Sequence, residues 1–368
     1  MSRSKIVAIA TLITTTSVLL AGCSTTATNS ASPTASNTPS ATSTPAVQYE
    51  IAPLTGMRFI KGTNPYLSGP AIMGKVDNAP AARPQNSLNK SDVVFEELVE
   101  GGMTRFLAIW QSNLPDKYGP VRSVRPMDPD LAAPFGGIIS FSGGNREFVA
   151  AMQRTDVFVT NETNQLGKNT FERVTNRFAP HNVMVHARTL AKQHRNIAAP
   201  KTQFNFADAL SQATAFIAGK PVTSFAVNFP SGRPSWSWNE TARRWLRSQY
   251  GVKETDATDG KQLHATNLVV LKTRIDRSFK NFRYGYIPRT VVVGGGSGYV
   301  FSGGKVLAIT FQKKNQNDPI HLFDSAGKPV LLSPGNTWVE LMPKDVGSIN
   351  IKYAKVVATA SASPTATK

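Results

Sequence analysis

An apolar stretch at residues 6–20, broken only by threonine and serine, follows a basic start at Arg3 and Lys5. That length suits a signal-peptide core and falls short of the ~20 residues a spanning helix needs. Small residues lead into Cys23 within Leu20-Ala21-Gly22-Cys23, the pattern of a lipoprotein signal over residues 1–22. Residues 24–47 lose periodicity and are almost wholly Ser, Thr, Ala, Asn and Pro. Such a segment buries too little apolar surface to offset its ordering entropy, so residues 23–48 read as a lipidated cysteine plus disordered tether. Residues 356–368 close the chain as a similar low-complexity tail.

From residue 49 onward, apolar positions return with strand spacing. Residues 71–76 run apolar into Asp77-Asn78. Residues 92–99 and 104–111 flank Gly101-Gly102, so 93–111 reads as a hairpin on a glycine turn. Residues 118–125 read as a polar-lined strand or loop, 128–133 as one or two helical turns, and 137–141 as a buried strand. Asn145 stands where a helix running to Gln153 needs its cap, and 189–197 also reads as helix. Short strands mixed with short helices predict an N-terminal α/β domain over residues 49–210.

Beyond residue 200 the texture changes. Strands are expected at 222–227, 236–238, 243–249, 263–273, 290–293, 298–301, 305–312, 320–323, 330–332 and 338–341, separated by glycine turns. This predicts a β-rich domain, a sandwich or partial barrel, over 211–355, and an α+β fold overall. The run Gly294-Gly295-Gly296-Ser297-Gly298 reads as a hairpin turn, because no Lys-Ser/Thr follows to make a phosphate cradle.

Charge adds a second asymmetry. The chain of 368 residues carries a net +18. Residues 48–200 hold 17 basic against 13 acidic side chains, and residues 201–368 hold 22 against 10. A basic surface attracts polyanions, although it also serves solubility near a negative surface. Outside a membrane the available polyanions are lipid headgroups and wall polymers, so nucleic acid is not the expected partner. Cys23 is the sole cysteine, and once lipidated it leaves no thiol for a disulfide, a nucleophile or a metal ligand.

Common enzyme signatures are missing: no Gly-x-Ser-x-Gly, Walker loop, His-Glu-x-x-His or Ser-x-x-Lys set is present. His181, His186 and His194 are spaced so that the first two face different sides of a helix or strand, and neither metal nor cofactor is expected. The densest polar group lies at Asp77, Asn78, Arg83, Gln85, Glu96, Glu97, Glu100, Arg105, Arg122 and Arg125. Arginine forks suit carboxylate or phosphate, which makes an arginine-lined anion or glycan site one reading. Carboxylates pairing those arginines to hold the fold is the other. Arg122 and Arg125, three apart, would face opposite sides of a strand.

Residues 81–126, AARPQNSLNKSDVVFEELVEGGMTRFLAIWQSNLPDKYGPVRSVRP, resemble the signature of the YerB-like lipoproteins, a bacterial family of unknown function. Ala-Pro-His-Asn at 179–182 and the segments at 297–314 and 327–341 extend the resemblance across nearly all of the folded part. Lys75 departs from it, standing where an apolar residue is usual. The resemblance implies a lipid-anchored envelope protein of two domains and assigns no reaction. It draws together Arg83, Glu97, Glu100, Arg105, Arg122, Arg125 and His181, and with Asp77 and Asn182 these make the candidate ligand-binding set.

The expected function is a non-enzymatic module on the extracytoplasmic face of the cell membrane. A palmitate-type lipid on Cys23 would anchor it, and the arginines would bind peptidoglycan, an anionic wall polymer or another envelope protein. The alternative is a wall glycan or peptide hydrolase using Glu97 or Glu100 with His181, for which Asp77 and Glu100 are the one carboxylate pair available.

Overall fold

The computed structural model describes residues 47–283 and 285–355. Cys23, the tether and the tail lie outside the described residues. The principal strands of the first half are β1 (Ile72–Asp77), β2 (Val93–Leu98), β3 (Thr104–Trp110), β4 (Ile138–Phe141) and β5 (Phe158–Asn161). The second half supplies β6 (Lys220–Asn228), β7 (Pro234–Asn239), β8 (Arg244–Gln249), β9 (Asn267–Asn281) and β10 (Gly285–Val291). It ends with β11 (Gly294–Ser302), β12 (Lys305–Lys313), β13 (Thr337–Pro343) and β14 (Ser348–Tyr353).

One long mixed sheet runs β5-β4-β1-β3-β2-β13-β9-β11-β12. At its centre β13 lies parallel to both neighbours, with Val339 opposite Phe95 of β2 and Val269 of β9. Parallel strands are usually covered on both faces and read as continuous apolar runs, which is why β2, β13 and the start of β9 alternate so weakly. Their alternate residues feed two cores. Phe95, Leu107, Val269 and Val339 face one, closed by Leu131, Phe135 and Phe148. Val94, Phe106, Val270 and Trp338 face the other, closed by Phe225, Trp236 and Trp245 from an antiparallel sheet β14-β6-β7-β8.

Charge interrupts this second core. Arg247 of β8, Glu96 of β2 and Glu340 of β13 have no solvent exposure. Arg247 donates from Nη2 to Glu96 Oε2 at 2.6 Å and pairs with Glu254. Its guanidinium sits 5.2 to 5.7 Å from the rings of Phe106, Trp236 and Trp338. Thr104 Oγ1 and Asn78 Nδ2 donate to Glu96 Oε1 at 2.7 and 3.3 Å, and Trp236 Nε1 donates to Glu340 Oε1 at 2.9 Å. Burial first, and the Glu96 charge second, push the Glu340 carboxyl well above its ordinary range against the pull of Arg247. A protonated Glu340 lets two acids share this space.

The expected hairpin is present, with Gly101 and Gly102 at φ 69° and 73°. So is the helix Arg146–Gln153, whose Glu147 N–H is capped by Asn145 Oδ1 at 3.1 Å. Four expectations need correction. Strands dominate over helices throughout, so the α+β description is only roughly right and the first half is itself built on sheet. Residues 294–298 are not a turn but the start of β11. Glycine is needed there for close approach, since a Cβ on Gly298 would lie 2.3 Å from the Val270 carbonyl oxygen. The second short helix is Ala187–Gln193, and Leu332 makes only an isolated bridge to Phe206; of the two readings of 118–125, residues 119–125 take the loop. The strand β14 was not anticipated.

Replacing Arg247 by alanine leaves Glu96 buried without its cation and should cost about 3–5 kcal/mol in urea unfolding. Glu340→Gln tests the proton. Because the folded carboxyl titrates above its unfolded value, its stabilisation is complete at low pH and lost as pH rises through the folded value. Denaturation midpoints followed from pH 5 to 9 should therefore fall less steeply in Glu340→Gln than in the parent.

Candidate functional site

Asp77, Arg105 and Glu97 stand opposite one another across β1, β3 and β2, on the same face of the sheet. The irregular segment 119–125 crosses the ends of these strands. It is pinned by Asp77 N to Pro120 O at 2.9 Å and by Arg122 N to Lys75 O at 2.7 Å. Val121 N donates to Val183 O at 2.8 Å, which delivers the His181 loop to the same place. Ser142 N then donates to Arg122 O at 3.0 Å, adding a second strap.

Asp77 Oδ2 is the meeting point. His181 Nδ1 lies 2.6 Å from it and Arg122 Nε 3.2 Å. The Asp77 side chain is 4% exposed, whereas those of His181 and Arg122 are 21% and 24% exposed. Beside them Arg125 Nε donates to Glu100 Oε2 at 2.7 Å, and Arg105 Nη1 donates to the Ser123 carbonyl at 2.9 Å. Burial, followed by the Arg125 charge, pushes the Arg105 guanidinium down to about 9. Burial works to raise the Glu100 carboxyl, but the charge and hydrogen bond of Arg125 overcome it and hold Glu100 below the usual range.

Glu97 lies beneath this surface. It contacts Lys75, which also donates to Asp128 Oδ1 at 2.8 Å, and all three side chains are fully buried. Burial pushes the Lys75 ammonium down to about 8, with Asp128 opposing the shift. Asp128 Oδ2 accepts in turn from the Arg125 backbone N–H at 2.6 Å. The buried triad thus props the segment that carries Arg122 and Arg125.

The structure therefore brings together six of the nine expected residues: Asp77, Glu100, Arg105, Arg122, Arg125 and His181. Glu97 supports them from the core. Arg83 belongs elsewhere, held by Asn78 Oδ1 at 3.0 Å and by Glu254 Oε1 at 3.1 Å, beside the buried Arg247 cluster. Asn78, the residue after β1, turns to Glu96 and Thr104 on the other side of the sheet from Asp77, which takes Arg83 away from the other arginines. Asn182 joins through a chain of contacts, since Arg173 bridges its Oδ1 at 3.0 Å to Glu162 at 2.9 Å. Glu162 then accepts from Ser142 Oγ at 2.9 Å. In a strand Arg122 and Arg125 would have faced opposite sides, but 119–125 forms none and both serve this surface. The histidines separate: His186 Nε2 lies 3.4 Å from Glu172, and the His194 ring packs 4.2 Å from Phe158. Among the described residues no group of three potential ligands is placed to hold a metal ion.

Lys75, Asp128, Arg247 and Glu254 were missed as partners. Two carried a signal. Lys75 is a lone charge in an apolar run, and Arg247 shares the alternation phase of buried Trp245.

The geometry can be set beside known proteins. Residues 54–200 match the model described as "Protein of unknown function (DUF3048) N-terminal domain", and residues 225–339 match its C-terminal counterpart. The chain belongs to this family, that of the YerB-like proteins. It is 27% identical over 311 residues to "Putative lipoprotein YerB" of Bacillus subtilis (strain 168), covering 81% of this chain and 88% of that one. A crystal structure of YerB from Bacillus subtilis superimposes with a TM-score of 0.69 at 25% identity, over 82% of this chain and 99% of that one. Among the described residues no helix is long and apolar enough to cross a membrane.

The two layers of the site should respond differently to mutation. Glu97→Ala breaks a fully buried ion pair, leaving the Lys75 ammonium to Asp128, and should cost about 3–5 kcal/mol. Arg122→Ala removes a part-exposed cation and leaves Asp77 to His181 and the Ala79 N–H, so it should cost less. Chemical denaturation of both variants measures the contrast.

Proposed function

We propose that this chain is a non-enzymatic envelope lipoprotein, anchored through lipid on Cys23 at the outer face of the cell membrane, that binds an anionic group of a wall component. The observation that carries this reading is the state of Arg122. The Arg122 side chain is part exposed, its buried Nε faces Asp77 at 3.2 Å, and neither of its Nη groups makes a hydrogen bond among the described residues. The His181 ring reaches the same carboxylate and is also part exposed. A planar fork with free donors suits a carboxylate or phosphate oxygen pair. Arg105 and Arg125 add positive potential behind it, while Glu100 is occupied by Arg125.

The same contacts weigh against a hydrolase. Glu97 has no path to solvent, and Glu100 is held ionised by Arg125, which suits neither to protonating a leaving group. The relative's lipoprotein name and the sequence around Cys23 support the anchoring half of the proposal.

Arg122→Ala should abolish retention of the protein on purified cell-wall fragments, and Arg122→Lys should restore it only in part, because an ammonium keeps the charge and loses the fork. Release of soluble wall products by the parent, lost in Glu100→Gln, would overturn the binding reading. Cys23→Ala should move the protein from the membrane fraction to the soluble one; unchanged membrane retention would sink the anchor.

A further inference from the structure

The outer face of the β14-β6-β7-β8 sheet holds a groove of about 550 Å³ that the Arg122 site does not use. Register explains its shape. Lys352, Ser224 and Ser237 lie opposite one another across β14, β6 and β7, and Asn350, Ala226 and Ser235 form the next row. The intervening residues Phe225, Val227 and Trp236 point inward to the second core. Small side chains therefore make the floor, and longer ones rise at the rim.

The rim is chemically one-sided. Arg233 and Lys352 line it, and no carboxylate does. Tyr250, 56% exposed, stands beside Arg233, whose carbonyl accepts from the Tyr250 backbone N–H at 3.2 Å. Among the described residues the side chains of Ser224, Ser235, Ser237, Asn350, Arg233 and Lys352 make no hydrogen bond or ion pair within the protein. The groove thus offers hydroxyls, an amide, two cations and a flat aromatic face, in a volume typical of ligand sites. Hydroxyls and amides match polyols, the ring suits the C–H face of a sugar, and the cations require oxyanions.

We infer that this groove binds a hydroxyl-rich polymer bearing carboxylate or phosphate groups, as a second site separate from Arg122. The excess of basic residues after position 200 would gather such a polymer. The choice of polymer over nucleic acid rests on the envelope reading above.

The test uses the full chain carrying Arg122→Ala, so that the first site is silenced. Titration with a glycerol-phosphate polymer, and separately with glycan strands bearing free carboxylates, should give saturable binding to at least one. Adding Arg233→Ala and Lys352→Ala should weaken it at least tenfold, and Tyr250→Ala should weaken it less. Removing two exposed cations elsewhere, Lys314→Ala and Lys328→Ala, should leave it unchanged. Binding to only one polymer assigns the oxyanion to phosphate or to carboxylate. Absent binding in the Arg122→Ala background, undiminished binding in the groove variant, or equal loss in the remote pair would each overturn the site. So would equal, groove-dependent affinity for a DNA duplex. Because Arg122 is already absent, these outcomes leave its proposed role to the wall-retention test.

Discussion

The second core of this protein is organised around a cation that has nowhere else to go. Arg247 lies fully buried between two sheets, and its charge is met by Glu96 and Glu254 while aromatic rings close around it. A buried guanidinium is tolerable only with its partners in place, so the position of β8 over the long sheet is tied to the position of β2. Apolar packing alone would accept sliding of one layer over the other by a residue. The ion pair does not, because its geometry is directional. Glu340 tightens the constraint, accepting from Trp236 Nε1 across the same interface while its proton relieves the repulsion from Glu96.

That constraint sets the relation between the two halves of the chain. Glu96 comes from the segment matched by the first family model, Arg247 from the segment matched by the second, and Glu340 from the strand that ends the match. The parallel insertion of β13 between β2 and β9 does the same in hydrogen bonds. Non-local strand pairing of this kind returns its energy only after long loops have closed. A charge cluster that is satisfied in one register alone supplies specificity where alternation is weak.

Much of this was readable in the sequence, for definable reasons. The Gly101-Gly102 hairpin and the Asn145 cap are local devices, with turn and cap chemistry written in adjacent residues. The order of strands was not readable, because β13 enters the sheet between strands far from it in the chain. Residues 294–298 misled for a related reason. Glycine there answers the closeness of the Val270 carbonyl on a neighbouring strand, not a bend in its own chain. Of the candidate site, the six residues that converge were legible as a motif, but their arrangement depended on segment 119–125 being irregular. Had it been a strand, Arg122 and Arg125 would have parted. Arg83 separates because consecutive residues Asp77 and Asn78 face opposite sides, a rule visible in the sequence once β1 is placed.

The two layers beneath the Arg122 surface explain why such a surface can exist. Three guanidiniums within one site repel one another, and the Arg125 charge adds to burial, the larger cause, in depressing Arg105. Glu100 and Asp77 offset that repulsion at the surface, and the buried Lys75–Glu97–Asp128 group fixes the backbone that presents them. Arg125 and Arg105 spend their donors on Glu100 and on carbonyls, which leaves them as fixed charge. Arg122 is the exception, tied by charge to one carboxylate and by hydrogen bonds to nothing among the described residues. The two Nη groups of Arg122, beside the fixed charges of Arg105 and Arg125, are what the proposed oxyanion recognition rests on.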